Sequence, residues 1–193
     1  MAHNISLEDA KKLAAGHLGA ELAKYPLRFS APVFFGELPR NNNHAKINNG
    51  TASLLDLGKG PLAITCFHVL NFYRSGIEKG DKCLFQIGSC RFDPLKQLIS
   101  ENEDLDIAII GLSEKQANEI TKNDVTSSSF FQPVSWPPQP VLKDEYITFA
   151  GFPGRWRTQL TVDVLEFGTY SSGGSRVCTV GDTYFITQFE REY

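Results

Sequence analysis

The sequence predicts a mainly β protein, an antiparallel barrel or sandwich, preceded by an N-terminal α-helix. Two observations carry this. From Leu27 onward, short apolar runs are broken every ten residues or so by Gly, Asn, Pro and Asp, the rhythm of consecutive antiparallel strands. The chain also holds 14 Phe and a single Met, an aromatic-rich composition that favours pleated, half-buried surfaces.

The N-terminal element comes first. Leu7, Ala10, Leu13, Ala14, Leu18 and Leu22 recur at helical spacing over the first 24 residues. Ser6 is placed to cap this helix, with Asp9 three positions on. Tyr25-Pro26 ends it, because the residue before proline avoids the α region. One helix packing on the main body is expected, with a partner-binding helix as the alternative.

The strands follow as PVFFGEL, TASLLDLG, LAITCFHVL, KCLFQIG, LDIAIIGL, YITFAGF, QLTVDVLEFGTY, SRVCTV and TYFITQF. Gly58-Lys59-Gly60 marks a turn between two of them. Only Ser113 to Thr121 looks helical within this part. The proline-rich segment Pro133 to Pro140 reads as an inter-lobe linker. The expected organisation is an N-terminal helix at 1–26, a first β lobe at 27–132 and a second at 133–193.

Composition narrows the function classes. The chain has 193 residues, is 41% hydrophobic and 21% charged, and carries a formal net charge of -3. Such a chain can bury a full core. It has no basic excess to attract nucleic acid or an anionic membrane. No stretch approaches the roughly 18 apolar residues of a membrane span. The start, MAHNISLEDAKKL, lacks the apolar region of a signal peptide, so a cytoplasmic location is expected. Cys66, Cys83, Cys90 and Cys178 form no CxxC pair. The expectation is four reduced, mostly buried cysteines and no zinc site.

Three places carry candidate chemistry. In the first, a strand ends in Thr65-Cys66-Phe67-His68-Val69-Leu70, which presents His68 at a sheet edge. In the second, Asp106 abuts the apolar strand Ile107-Ala108-Ile109-Ile110. A carboxylate there is costly to bury unless a donor meets it, and a histidine N–H serves. In the third, Tyr146 to Gly154 runs a strand into a Gly-Phe-Pro-Gly turn. Each alone has an ordinary structural explanation.

Their order resembles the trypsin-like serine peptidases, nearest to the bacterial HtrA-like branch. The matching positions are Gly50 through Leu55, Thr65 with His68 and Val69, Asp106 through Ile109, and Gly151 through Pro153. The resemblance covers roughly residues 30 to 193. Phe67 departs from it, standing where the family has a small residue. The resemblance implies a double β-barrel, with His68 as catalytic base and Asp106 as the acid that orients it. It implies a polypeptide substrate or protein partner and no metal or organic cofactor. In that chemistry the imidazole takes the serine proton, and losing the carboxylate costs on the order of 10⁴ in turnover.

The nucleophile is the open question. Ser172, in Tyr170-Ser171-Ser172-Gly173-Gly174-Ser175, is the visible candidate. Tyr170 stands where the family has glycine, and the segment reads instead as a hairpin turn. Only 21 residues follow Ser172, enough for about two strands. The preferred alignment matches 182–189 to the strand leading toward the nucleophile. It therefore expects the chain to stop before the serine, with the second barrel incomplete. The expected function is a serine endopeptidase domain, a fragment or inactive as it stands. The alternatives are a non-catalytic peptide-binding module and an unrelated β-sandwich.

Overall fold

The computed structural model describes residues 6–37, 46–122, 128–135, 137, 139–159, 165–180 and 185–187. The chain is mainly β, and its largest unit is a seven-stranded antiparallel sheet. The strands are β1 (Ser30–Glu37), β2 (Lys46–Asp56), β3 (Pro61–Thr65), β4 (Cys83–Ile87), β5 (Cys90–Arg91), β6 (Leu98–Asn102) and β7 (Ile107–Gly111). Their order across the sheet is β5-β4-β1-β2-β3-β7-β6. This sheet is open among the described residues, with β5 and β6 at its edges. The remaining strands are β8 (Tyr146–Gly151), β9 (Arg157–Gln159), β10 (Leu165–Phe167), β11 (Tyr170–Val180) and β12 (Phe185–Thr187). They form a three-stranded sheet, β12-β11-β8, and the hairpin β10-β9.

Alternation builds the core. Ala31, Val33 and Phe35 of β1 are buried at every second position, as one inward face of a pleated strand requires. Ala52 and Leu54 of β2 and Ala63 of β3 join them, with Phe85, Ile87 and Ile110. The β2–β3 hairpin turns where the glycines predict it. Gly58 and Gly60 have φ of 79° and 111°, and the Gly58 N–H donates to the Asp56 carboxylate at 2.8 Å.

Four α-helices lie among the described residues: α1 (Leu7–Ala15), α2 (His17–Lys24), α3 (Phe67–Glu78) and α4 (Glu114–Thr121). The expected single N-terminal helix is two. Ser6 does cap α1, its hydroxyl oxygen accepting from Asp9 N–H at 3.1 Å. Gly16 then adopts an extended conformation and the chain turns. The corner is tight, since a Cβ at Gly19 would lie 1.8 Å from the Ala14 carbonyl oxygen. The predicted helix after Ser113 forms with a reciprocal capping box between Ser113 and Gln116.

The unforeseen element is α3. Val69, Leu70, Tyr73 and Gly76 form its buried face, a helical 3–4 spacing. Burying side chains such as Val69 and Leu70 contributes about 1.5–3 kcal/mol each, which outweighs the weak helix propensity of Phe, Tyr and Val. Tyr73 locks the helix onto the sheet through an edge-on contact with Phe85, ring centres 5.7 Å apart.

A second correction concerns Ser-Gly-Gly-Ser, which is not a hairpin turn. It lies inside the continuous strand β11. Ser172 pairs with Phe149 and Ser175 with Ile147, so three steps on β11 face two on β8. That extra residue is a β-bulge, which Gly173 and Gly174 accommodate without side chains. The predicted run from Gln159 to Tyr170 holds the end of β9, β10 and the start of β11, with 160–164 outside the described residues. Of the segment 182–189, only β12 is described.

Candidate active site

Strand register explains why His68 meets Asp106. β3 and β7 run antiparallel, and Thr65, the last residue of β3, pairs with Ala108. The chain leaving β3 therefore rises beside the chain entering β7. Residues 66–68 and 106–107 share one end of the sheet, although His68 and Asp106 are 38 positions apart.

Two hydrogen bonds fix the pair. His68 Nδ1 lies 2.8 Å from Asp106 Oδ2. The His68 backbone N–H donates to Asp106 Oδ1 at 2.9 Å. The second bond is a helix cap supplied from a distant loop. Cys66 occupies the N-cap of α3 but makes no side-chain cap bond. The first N–H groups of a helix lack internal partners and carry partial positive charge. Asp106 supplies the missing acceptor.

Asp106 is held in place by its own backbone. It lies at φ 51°, left-handed geometry that aspartate tolerates better than most residues. Its N–H donates to the Glu103 carbonyl at 3.0 Å, closing the turn before β7. The His68 backbone N–H, then the His68 ring, hold the Asp106 pKa below the usual carboxylate value. An ionised carboxylate only accepts, so the proton of a neutral His68 ring sits on Nδ1. Nε2 is left with its lone pair. The His68 side chain is 68% exposed, so solvent reaches the ring.

The third motif joins the same region through β2. Buried Thr65 donates its hydroxyl to the Thr51 carbonyl at 2.9 Å. Thr51 Oγ1 accepts from the Phe152 N–H at 2.9 Å. Asn49 Nδ2 donates to the Phe152 carbonyl at 2.8 Å. Both backbone groups of Phe152 are thus tied to β2, and its side chain is buried. The Gly151–Pro153 turn is pinned beside the strand that leads to His68. Asn49 and Thr51 do this work; Thr51 falls within the matched positions Gly50 through Leu55, and Asn49 lies just outside them.

Ser172 has partners of its own. Its hydroxyl is 2.8 Å from the Ser175 hydroxyl. Across from it is Phe149, two residues down β8 from Gly151, roughly 7 Å along a strand. The neighbouring Ser171 hydroxyl donates to the Ala23 carbonyl of α2. The Ser171 bond thus ties this stretch of β11 to the N-terminal helices, and the bonds of His68 run to Asp106.

Cys66 also belongs to the site. Its thiol sulfur, a His68 ring nitrogen and an Asp106 carboxylate oxygen lie within 4.8 Å of one another. Burial, then the charge of Asp106 and a hydrogen bond to it, pushes the Cys66 thiol pKa up. A protonated thiol is a poorer nucleophile than a thiolate. Among the described residues, Cys66, Cys83 and Cys90 form no disulfide, and of the three only Cys90 is fully buried. The Cys178 side chain lies outside the described residues. Among the described residues, no helix is long and apolar enough to cross a membrane.

The chain matches no known family model, and none of the curated proteins matches it.

Proposed function

We propose that this chain is a trypsin-like serine endopeptidase domain, in which His68 is the general base and Asp106 orients it. The observation that carries the reading is the double hold of Asp106 on His68, through ring and backbone. A base of this kind needs one ring nitrogen committed to a carboxylate and the other turned to the nucleophile. The hydrogen bonds at 2.8 and 2.9 Å supply that commitment. The ordered Thr65–His68, Asp106 and Gly151–Pro153 segments, joined through Asn49 and Thr51, add support. On this reading the two open sheets correspond to the two lobes of a double barrel.

The nucleophile separates this from a second reading, a protease-like module that binds peptides without cleaving them. The hydroxyl contact of Ser172 favours that second reading, because it runs to Ser175.

Fluorophosphonate labelling, applied to this chain and to the whole product of its gene, decides between them. The peptidase reading expects a covalent adduct that disappears in His68→Ala and persists in Ser172→Ala. An adduct lost in Ser172→Ala would make Ser172 the nucleophile. No adduct in either sample, with the His68 Nδ1 proton still visible by NMR, would overturn the peptidase reading in favour of peptide binding.

A further inference from the structure

We infer that Cys66, His68 and Asp106 form a binding site for a divalent zinc-class metal ion. The donor set and its geometry define this site whether or not the chain is a peptidase.

Three donors of different chemistry converge here: a thiol sulfur, an imidazole nitrogen and a carboxylate oxygen, all within 4.8 Å of one another. Zinc is bound by these three groups at bond lengths of about 2.0–2.3 Å, which in a tetrahedron places ligand atoms roughly 3.3–3.8 Å apart. The cluster is near that size already. The Nδ1–Oδ2 contact of 2.8 Å has only to open slightly. The three residues come from two chain segments joined by the β3–β7 register, so the fold holds the donors before any ion arrives. With the His68 side chain 68% exposed and that of Asp106 46% exposed, an ion has a path in from solvent. Three protein ligands also leave a fourth position open, the pattern of zinc sites that hold water or substrate.

Charge points to a divalent cation. Coordination takes the thiolate form of Cys66 and the ionised form of Asp106, so two negative charges meet two positive ones. The thiol releases one proton to solvent. The His68 proton moves from Nδ1 to Nε2, and Nδ1 gives its lone pair to the metal. Sulfur and imidazole select zinc, cobalt and their neighbours over magnesium or calcium, which prefer oxygen alone. The Cys-x-His spacing, with its third ligand 38 positions on, matches none of the paired-cysteine motifs. That is why a sequence reading expects no metal here.

Metal binding and the His68–Asp106 hydrogen bond exclude each other, since both use Nδ1. Where the peptidase reading holds, the ion is an inhibitor that disables the base.

Cobalt(II) titration tests the site directly, with no need of activity. One equivalent is expected to bring up the thiolate-to-cobalt charge-transfer band in the near ultraviolet, together with the visible bands of tetrahedral cobalt. Zinc should bleach both. Cys66→Ala should abolish the charge-transfer band, and His68→Ala and Asp106→Asn should each weaken binding. Persistence of the band in Cys66→Ala would place the metal on another cysteine and overturn the proposal. A second measurement uses the unaltered chain. On adding zinc, nitrogen-15 NMR should show the His68 proton leaving Nδ1 for Nε2. An Nδ1 proton that stays in place under saturating zinc, or no cobalt band at any concentration, overturns the site. The fluorophosphonate result is independent of these outcomes, so failure of one idea is distinguishable from failure of the other.

Discussion

The seven-stranded sheet and the β8–β12 region differ in how their strands are buried. Along β1, residues from Ala31 to Phe35 alternate between fully and partly buried. Along β8, the positions after exposed Tyr146 are all partly buried. The first pattern is a strand with one face in a dense core. The second is a strand that shares its faces between a thin layer and solvent. His68 and Asp106 stand at the rim of the dense sheet, and Ser172 stands in the thinner region. Rigid placement of a catalytic or metal-binding pair needs the former.

The largest effect should come from cutting the dense core. Phe85 is 1% exposed and meets both Tyr73 and Phe92 edge-on. Phe85→Ala is expected to cost about 3–5 kcal/mol. Phe149 of β8 is only partly buried, and Phe149→Ala should cost clearly less. Urea unfolding of the two variants measures the difference. Equal losses would mean that the two regions are one core and would break the comparison.

Much of the dense region was legible in the sequence. Alternating apolar runs marked β1, β2, β3, β4 and β7, and the Gly58–Gly60 turn marked the hairpin. The site was legible as an order of motifs, Thr65–His68 before Asp106 before Gly151–Pro153. Its detail was not. Helix α3 hid behind aromatic and β-branched residues that read as strand, although Val69, Tyr73 and Gly76 kept a helical spacing. The left-handed turn at Asp106 depends on Glu103 and the β7 register, not on its own residue type alone. Ser172 to Ser175 carried the composition of a turn, and only the pairing with β8 makes it a bulge. The closure of each sheet is a property of strand partners far apart in sequence, so the local rhythm of strands could not show that these sheets are open.

Proton linkage gives the next effect. Cys90 is 2% exposed, and burial, then the charge of Glu119, pushes its thiol up to about 11 from 9.0. Between these values the unfolded chain gives up its proton while the folded chain keeps it. The folded state binds more protons, so stability falls as pH rises from 9 toward 11. The loss should reach on the order of 2 kcal/mol at pH 11. Other groups titrate in the same window, so the test is the difference between the native chain and Cys90→Ala. That difference should change across pH 9–11 and stay level at pH 6–8. A flat difference throughout would mean that β5, at the edge of the sheet, is less enclosed than the core behind it.

Asp106 sets a smaller and sharper test of the rim. It caps α3 through the His68 N–H, and a helix loses stability with its cap. Asp106→Ala should be less stable than the native chain by a smaller margin than Phe85→Ala, and the His68 Nδ1 proton should exchange faster by NMR. Asp106→Asn keeps an acceptor for the backbone N–H and should recover part of the stability. If both variants leave stability unchanged, the rim is held by packing alone and the acid only orients the ring.

The smallest effect tests whether the rim is braced from outside. Arg74 of α3 meets Glu101 of β6 at 2.6 Å, joining the helix that carries His68 to the hairpin that leads to Asp106. The two side chains are 26% and 31% exposed, so water still screens much of their attraction. A double-mutant cycle with Arg74→Ala and Glu101→Ala should give a coupling of about 0.2–1 kcal/mol. The informative quantity is what happens to the dyad in the double variant. If the β3–β7 register alone aligns His68 with Asp106, the Nδ1 proton resonance keeps its position when the brace is gone. If it shifts, the ion pair is part of the alignment, and the rigidity of the site extends beyond the core to this partly solvated contact.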